Sequence, residues 1–355
     1  MPGEPLTNDT KEEYTMRRLL CLTAVVLLAH IPQLTFGAAP FYEGKTIRIT
    51  VGVSAGGGFD NEARILSRHM PKYIPGKPTI IVENITGAGG LICANQLYKV
   101  SAPDGLTFSH FNGGFLFAQV LEQPGIEFDA RKFGYLGAVS MENAVFFVTK
   151  ASGITSIEQV MASKTPVKLG GTGIGAYAPD AIIKIWKSVS AMPVQLITPY
   201  KGGAEVRLAC ENGELAGSVI SWDAMKSAWG KRFETGEARV ILQAVAKPRP
   251  DLPKVPLDMM LAKTEEARQL IEIGVHLNNV FARPFILGPD VPKDRADILR
   301  SAFQKTMNDK EFIEEIQKAK LGLDPVSGEE VEKAVLNAFK TPRPLVQKLK
   351  DIYYK

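Results

Sequence analysis

The chain has 355 residues, 45% of them hydrophobic and 23% charged, a balance that excludes fibrous and disordered classes. A net charge of +4, with basic residues set beside acidic ones as in Lys310-Glu311 and no Lys/Arg stripe with aromatics, argues against nucleic-acid binding. The length predicts two domains, each able to bury its own core.

The first residues read as an address. Residues 1–15 are polar, Met16-Arg17-Arg18 opens a short positive region, Leu19 to Ala29 is apolar, and Thr35 to Ala39 offers small residues for cleavage. This is the layout of a secretory signal peptide with an upstream extension, spanning 1–38. The apolar run is shorter than the roughly 20 residues a bilayer span needs. The expectation is an exported chain, soluble once the leader is removed.

Thr46 to Val53 reads as a strand, Ser54 to Gly58 as a turn and Asp60 to Met70 as a helix. Thr79 to Glu83 is a second strand, followed by Gly87-Ala88-Gly89-Gly90 and a helix from Leu91 to Val100. Leu106 to Phe111 is a third strand. Strands separated by helices predict a parallel α/β sheet. Ala144 to Thr149 is an apolar strand crossing to a second lobe. There Val167 to Gly170 is again followed by glycines, Gly170 to Gly175, with Pro179 opening a helix to about Val189. Val194 to Ile197, the helix Ala204 to Asn212, Gly217 to Ser221 and Val240 to Val245 continue the alternation. Pro248, Pro250, Pro253 and Pro256 mark irregular surface. After a helix from Glu265 to Ile273, Val280 to Leu287 carries the chain back. Asp294 to Asn308, Glu311 to Ala319 and Glu329 to Phe339 read as amphipathic helices. The expected lobes are 39–145 plus 282–355, and 146–281.

A glycine loop between a parallel strand and a helix presents unpaired N–H groups at the positive end of the helix dipole, which suits an anion. Such loops occur at Gly56 to Phe59, Gly87 to Gly90 and Gly170 to Ala176. Neither a dinucleotide G-x-G-x-x-G followed by a ribose-binding acid nor a phosphate-binding G-x-x-x-x-G-K-S/T is present. No cofactor is expected. The candidate ligand residues are therefore Ser54, Ala55, Gly56, Gly57, Gly58, Phe59, Asp60 and Gly87 in one lobe. Thr172, Gly173, Gly175, Ala176, Tyr177, Tyr200, Lys201, Trp222 and Asp223 make up the other half. Thr172 and Tyr177 supply hydroxyls, Tyr200 and Trp222 apolar walls, and Lys201 a charge that steers an anion. Asp60 has two readings, helix capping and a cleft contact. Cys93 and Cys210 are read as two buried thiols or, alternatively, one disulfide. No cysteine pair has metal-ligand spacing and histidines are few, so no metal is expected.

Several segments carry a resemblance. Val53-Ser54-Ala55-Gly56-Gly57-Gly58-Phe59-Asp60 with Ala63-Arg64, Val82-Glu83-Asn84-Ile85-Thr86-Gly87-Ala88-Gly89-Gly90, Ala102-Pro103-Asp104-Gly105, Pro199-Tyr200-Lys201-Gly202-Gly203-Ala204 and Arg249-Pro250-Asp251-Leu252-Pro253 occur in order. Together they resemble the tripartite tricarboxylate transporter receptor family, the Bug solute receptors. The resemblance implies a type II periplasmic-binding fold with two lobes and a central cleft. It also implies a periplasmic, monomeric receptor for a small organic carboxylate, delivered to a two-component membrane permease or reported to a membrane sensor. Two segments depart from the family pattern. Ala176 and Pro179 stand where relatives often carry serine and histidine, and the return crossover reads Val280-Phe281-Ala282-Arg283-Pro284-Phe285.

The rival class is an α/β enzyme. No G-x-S-x-G elbow occurs, and Ser221-Trp222-Asp223 is not by itself a nucleophile constellation. His110, at a strand end, reads as a core or rim residue. The expectation is binding without chemistry.

Overall fold

Ile47, Ile49 and Val51 alternate with polar residues along β1 (Thr46–Val51) and are fully buried, so one face of the strand is committed to a core. The computed structural model describes residues 39–172, 180–198, 200 and 202–354; the expected leader therefore lies outside the described residues. β1 pairs in parallel with β2 (Thr79–Asn84) and β3 (Thr107–His110), the arrangement that intervening helices allow. The first sheet is not wholly parallel as expected. β10 (Pro284–Leu287) runs antiparallel between β3 and β4 (Gly134–Ala138), and β11 (Val326–Ser327) adds antiparallel to β4. The order is β11-β4-β10-β3-β1-β2.

The second sheet has the order β7-β6-β8-β5-β9. Within it β5 (Ala144–Thr149), held between two neighbouring strands, is buried at every position, which is why its sequence is apolar rather than alternating. β6 (Val167–Gly170) pairs in parallel with β7 (Val194–Ile197) and β8 (Gly217–Ser221). β5 is antiparallel to β8 and β9 (Ala238–Gln243). The result is an α/β two-lobed periplasmic-binding-protein-like fold. The chain passes between sheets at residues 139–143 and returns at 281–283. Both passages are tied by backbone bonds: Glu142 N–H to Asn279 O at 3.0 Å and Gly113 N–H to Ala282 O at 2.9 Å.

The predicted helix from Glu265 ends at Ile271, and the chain continues through a wider turn, Glu272–His276, into Leu277–Val280. Three helices went unanticipated: Gly114–Val120, Trp222–Glu234 and Arg343–Tyr354. The last bonds to segments that flank it on both sides. Tyr353 donates to Gly274 O (3.0 Å) and accepts from Lys184 Nζ at its carbonyl (2.9 Å), both on the second lobe's side. Arg343 and Lys350 pair with Glu122, and Tyr354 donates to Gln123, on the first. A continuous cluster of buried apolar side chains accordingly runs from Phe117 and Phe133 in the first lobe to Phe146 and Trp186 in the second, with Leu345 and Leu349 between. Cys93 and Cys210 are both free and buried; burial pushes the Cys210 thiol up to about 12. Among the described residues no helix is long and apolar enough to cross a membrane.

Candidate functional site

The first glycine loop is built by hydrogen bonds. Gly56 has φ +85°, a left-handed conformation that glycine takes without strain, and it turns the chain into the helix Gly58–His69. The Asp60 carboxylate reaches back to accept from Gly56 N–H (2.8 Å), Arg64 Nε (2.8 Å) and Asn84 Nδ2 (2.9 Å). Of the two readings of Asp60, neither is what the structure shows. Gly57 occupies the cap position with no side-chain cap bond, and Asp60, 1% exposed, is a brace behind the loop. Burial pushes its carboxyl up, but the bonds from Arg64, Gly56 and Asn84 outweigh this and hold it at about 2. The N–H groups of Gly58 and Phe59 precede the first intrahelical bond, Asn61 N–H to Gly57 O at 2.9 Å, and have no acceptor among the described residues.

These residues open onto a cleft of about 720 Å³ between the sheets. Gly56, Gly58 and Phe59 line one wall; Arg207, Ser221 and Asp223 line the other. Ser140 to Glu142 and Arg283, on the two crossover passages, lie between them. Ser54, Ala55 and Gly57 are exposed beside the cleft rather than in its wall. Gly87 is not in the wall either. Its loop serves packing: at Gly90 (φ +106°) the chain comes so near β1 that a Cβ on Gly52 would stand 3.1 Å from the Gly90 Cα.

The second glycine loop is only partly visible. Thr172 is half-buried, and its N–H donates to Asp180 Oδ1 at 2.9 Å. Gly173, Gly175, Ala176, Tyr177 and Lys201 lie outside the described residues. Tyr200 donates its N–H to Gly171 O at 3.2 Å and packs against the second lobe's core. Trp222 is not a cleft wall. Its ring is 6% exposed, packed edge-on against Phe233, and its indole N–H donates to Asp251 at 2.7 Å. Asp223, next to it, does reach the cleft, where it accepts from Asn143 Nδ2 (2.7 Å) and pairs with Lys226 (3.2 Å).

The charged residues of the cleft were mostly missed in the sequence. Arg283 lies over the Phe59 ring, 4.3 Å from its centroid, and pairs with buried Glu62 at 3.1 Å. Its position beside Pro284 in the divergent return crossover was the available signal. Arg207 and Lys320 also line the cleft, from opposite lobes, and neither side chain has an ion-pair or hydrogen-bond partner among the described residues. Lys320 holds φ +57°, at the turn after the helix Lys310–Lys318. Glu142, between them, has its carboxyl pushed up, chiefly by burial. One set of possible metal ligands occurs among the described residues, His69, Asp309 and Glu311. Lys72 already bridges its two acids at 2.7 and 2.9 Å, filling the place a cation would take.

Comparison with known proteins places this geometry. Residues 63–350 match the profile described as tripartite tricarboxylate transporter family receptor. A Cupriavidus necator protein described as "UPF0065 protein in gbd 5'region" is 27% identical over 340 residues, 92% of this chain and 94% of its own. A solute-binding protein from Polaromonas, solved without ligand, superposes with a TM-score of 0.67 at 17% identity, covering 86% of this chain and 99% of that one. A Rhodopseudomonas palustris protein solved with adipate gives 0.63 at 19%, covering 87% and 98%.

Proposed function

The chain belongs to the tripartite tricarboxylate transporter receptor family, and from that premise we propose that it captures a small organic carboxylate in the cleft between its lobes. The family's role is solute binding in transport, and no reaction is needed to account for the cleft. We take the lobes to meet at residues 139–143 and 281–284 and the chain to work outside the cytoplasm, passing its ligand to a two-component membrane permease.

The observation that carries this reading is the free N–H pair of Gly58 and Phe59, at the start of a helix and in the cleft wall with Arg283 beside it. Unpaired donors, a helix dipole and a guanidinium form a place for a carboxylate oxygen. The adipate-bound relative supports an acid of this size. The second lobe completes the grip as the lobes approach. Closure would remove water and strengthen each polar contact.

Isothermal titration tests the reading, using protein unfolded and refolded to strip any retained ligand and a panel of mono-, di- and tricarboxylates. At least one acid should bind stoichiometrically. Absence of binding across the panel, or turnover of an acid, would overturn it.

A further inference from the structure

From the cleft wall inward, three ionisable side chains form a line: Arg283, Glu62 and His110. His110 is fully buried, its ring stacked on Phe285 at 4.0 Å and 8°. Its Nδ1 lies 3.0 Å from the Pro284 carbonyl oxygen and its Nε2 lies 3.1 Å from Glu62 Oε2. The carbonyl can only accept. An ionised carboxylate can only accept as well. A neutral imidazole has a single N–H, so satisfying both bonds takes two ring protons.

Glu62 is the shared partner. Its other oxygen meets Arg283 Nε at 3.1 Å, and its side chain is 2% exposed. Burial pushes its carboxyl up, but Arg283 and His110 outweigh this and hold it below the ordinary range. The charge balance of the line then sets what it adds to the cleft, beside Glu142, Asp223, Arg207 and Lys320 in the same lining. Glu62 and Arg283 alone sum to zero. With a charged His110 the line carries a net positive charge, and its exposed end is the guanidinium. Among the described residues, the charged groups against His110 are Glu62 and, through it, Arg283; Phe59 and Phe285 supply apolar faces.

Arg283 is also aimed. A Cβ on Gly58 would stand 2.7 Å from Arg283 Nη2, so the guanidinium rests directly against the start of the glycine-loop helix. We propose that Arg283 contacts the carboxylate of the ligand together with the Gly58–Phe59 amides, and that a doubly protonated His110, by sharing Glu62, positions Arg283 and leaves its charge available. This rests on the carboxylate reading above and adds to it a binding residue and a positioning residue.

The test is nitrogen-15 NMR on the full chain labelled at histidine and arginine, with acetate, the smallest organic carboxylate, as probe. Both His110 ring nitrogens should resonate as protonated at neutral pH. Acetate should move the Arg283 Nε–H signal along with the amides of Gly58 and Phe59. His110→Gln and Arg283→Gln should each weaken acetate binding about tenfold, the effect expected from losing one desolvated charge, and Arg283→Lys should restore part of it. One unprotonated His110 nitrogen would overturn the proposal, as would acetate moving the amides but not Arg283. The wild-type spectrum decides the matter even where His110→Gln does not fold. Movement of the amides alone leaves the carboxylate reading intact; failure of every acid in the titration panel removes both.

Discussion

Asp60 shows what a single buried charge does in this protein. It was legible as a loop-associated acid, but its role as a brace was not, because the partner Asn84 comes from a strand 24 residues away. With its folded carboxyl at about 2, it contributes stability that is fully present above the unfolded value of about 4 and lost as pH falls through the folded one. Asp60→Asn should cost about 1–2 kcal/mol at neutral pH and flatten the acid limb of a urea-melt series between pH 5 and 2. Equal acid sensitivity in both proteins would contradict this. Gly58 makes a different prediction. A methyl group there would push Arg283 aside without touching a core, so Gly58→Ala should weaken carboxylate binding severalfold while the melting temperature hardly moves. Arg283, Arg207 and Lys320 escaped sequence reading for one reason. A charged side chain on an otherwise ordinary helix or crossover looks solvated until the fold shows which surface it meets.

At the scale of elements, strands whose side chains alternate or run apolar were legible almost to the residue, as at Val167–Gly170 and Gly217–Ser221. β4 was not, since Gly134, Gly137 and Ala138 leave too weak a pattern. β11 is two residues long and exists only because β4 offers it an edge. The helix Trp222–Glu234 was hidden because Ser221 lacks a capping bond and Trp229 breaks its geometry at φ −128°. The C-terminal helix has a clear consequence. Leu345 and Leu349 are buried in the cluster shared by both lobes. Deleting residues 343–355 exposes that cluster and removes the Tyr353 and Tyr354 bonds. The truncated protein should lose several kcal/mol, at the roughly 2–5 kcal/mol typical of each large buried side chain removed, seen as a lower urea midpoint. An unchanged midpoint would show the helix to be peripheral. A single-site check on the second lobe is Trp186→Ala. It empties a fully buried position and removes the indole N–H that Asp258 Oδ2 accepts at 3.1 Å, leaving the carboxylate held by His276; about 3–5 kcal/mol should be lost.

Over the whole molecule, the two-lobed architecture and the family were legible because short motifs recur in order along most of the chain. The cleft was legible only in outline, since it is assembled from segments far apart in sequence. Gly56, Gly58 and Phe59 of the first glycine loop line the cleft, Trp222 turns inward, and residues 173–179 lie outside the described residues. The unpaired cations Arg207 and Lys320 add a prediction about charge. Acids with a second carboxylate should lose affinity with rising salt more steeply than monoacids of equal length, and Arg207→Gln with Lys320→Gln should abolish the difference. The measurement that reaches the central claim most directly is a crystal structure with the tightest acid from the titration panel. One carboxylate should accept hydrogen bonds from the Gly58 and Phe59 N–H groups while the opposing lobe closes over it. An acid bound elsewhere, or a filled cleft with those amides turned away from the ligand, would contradict the account.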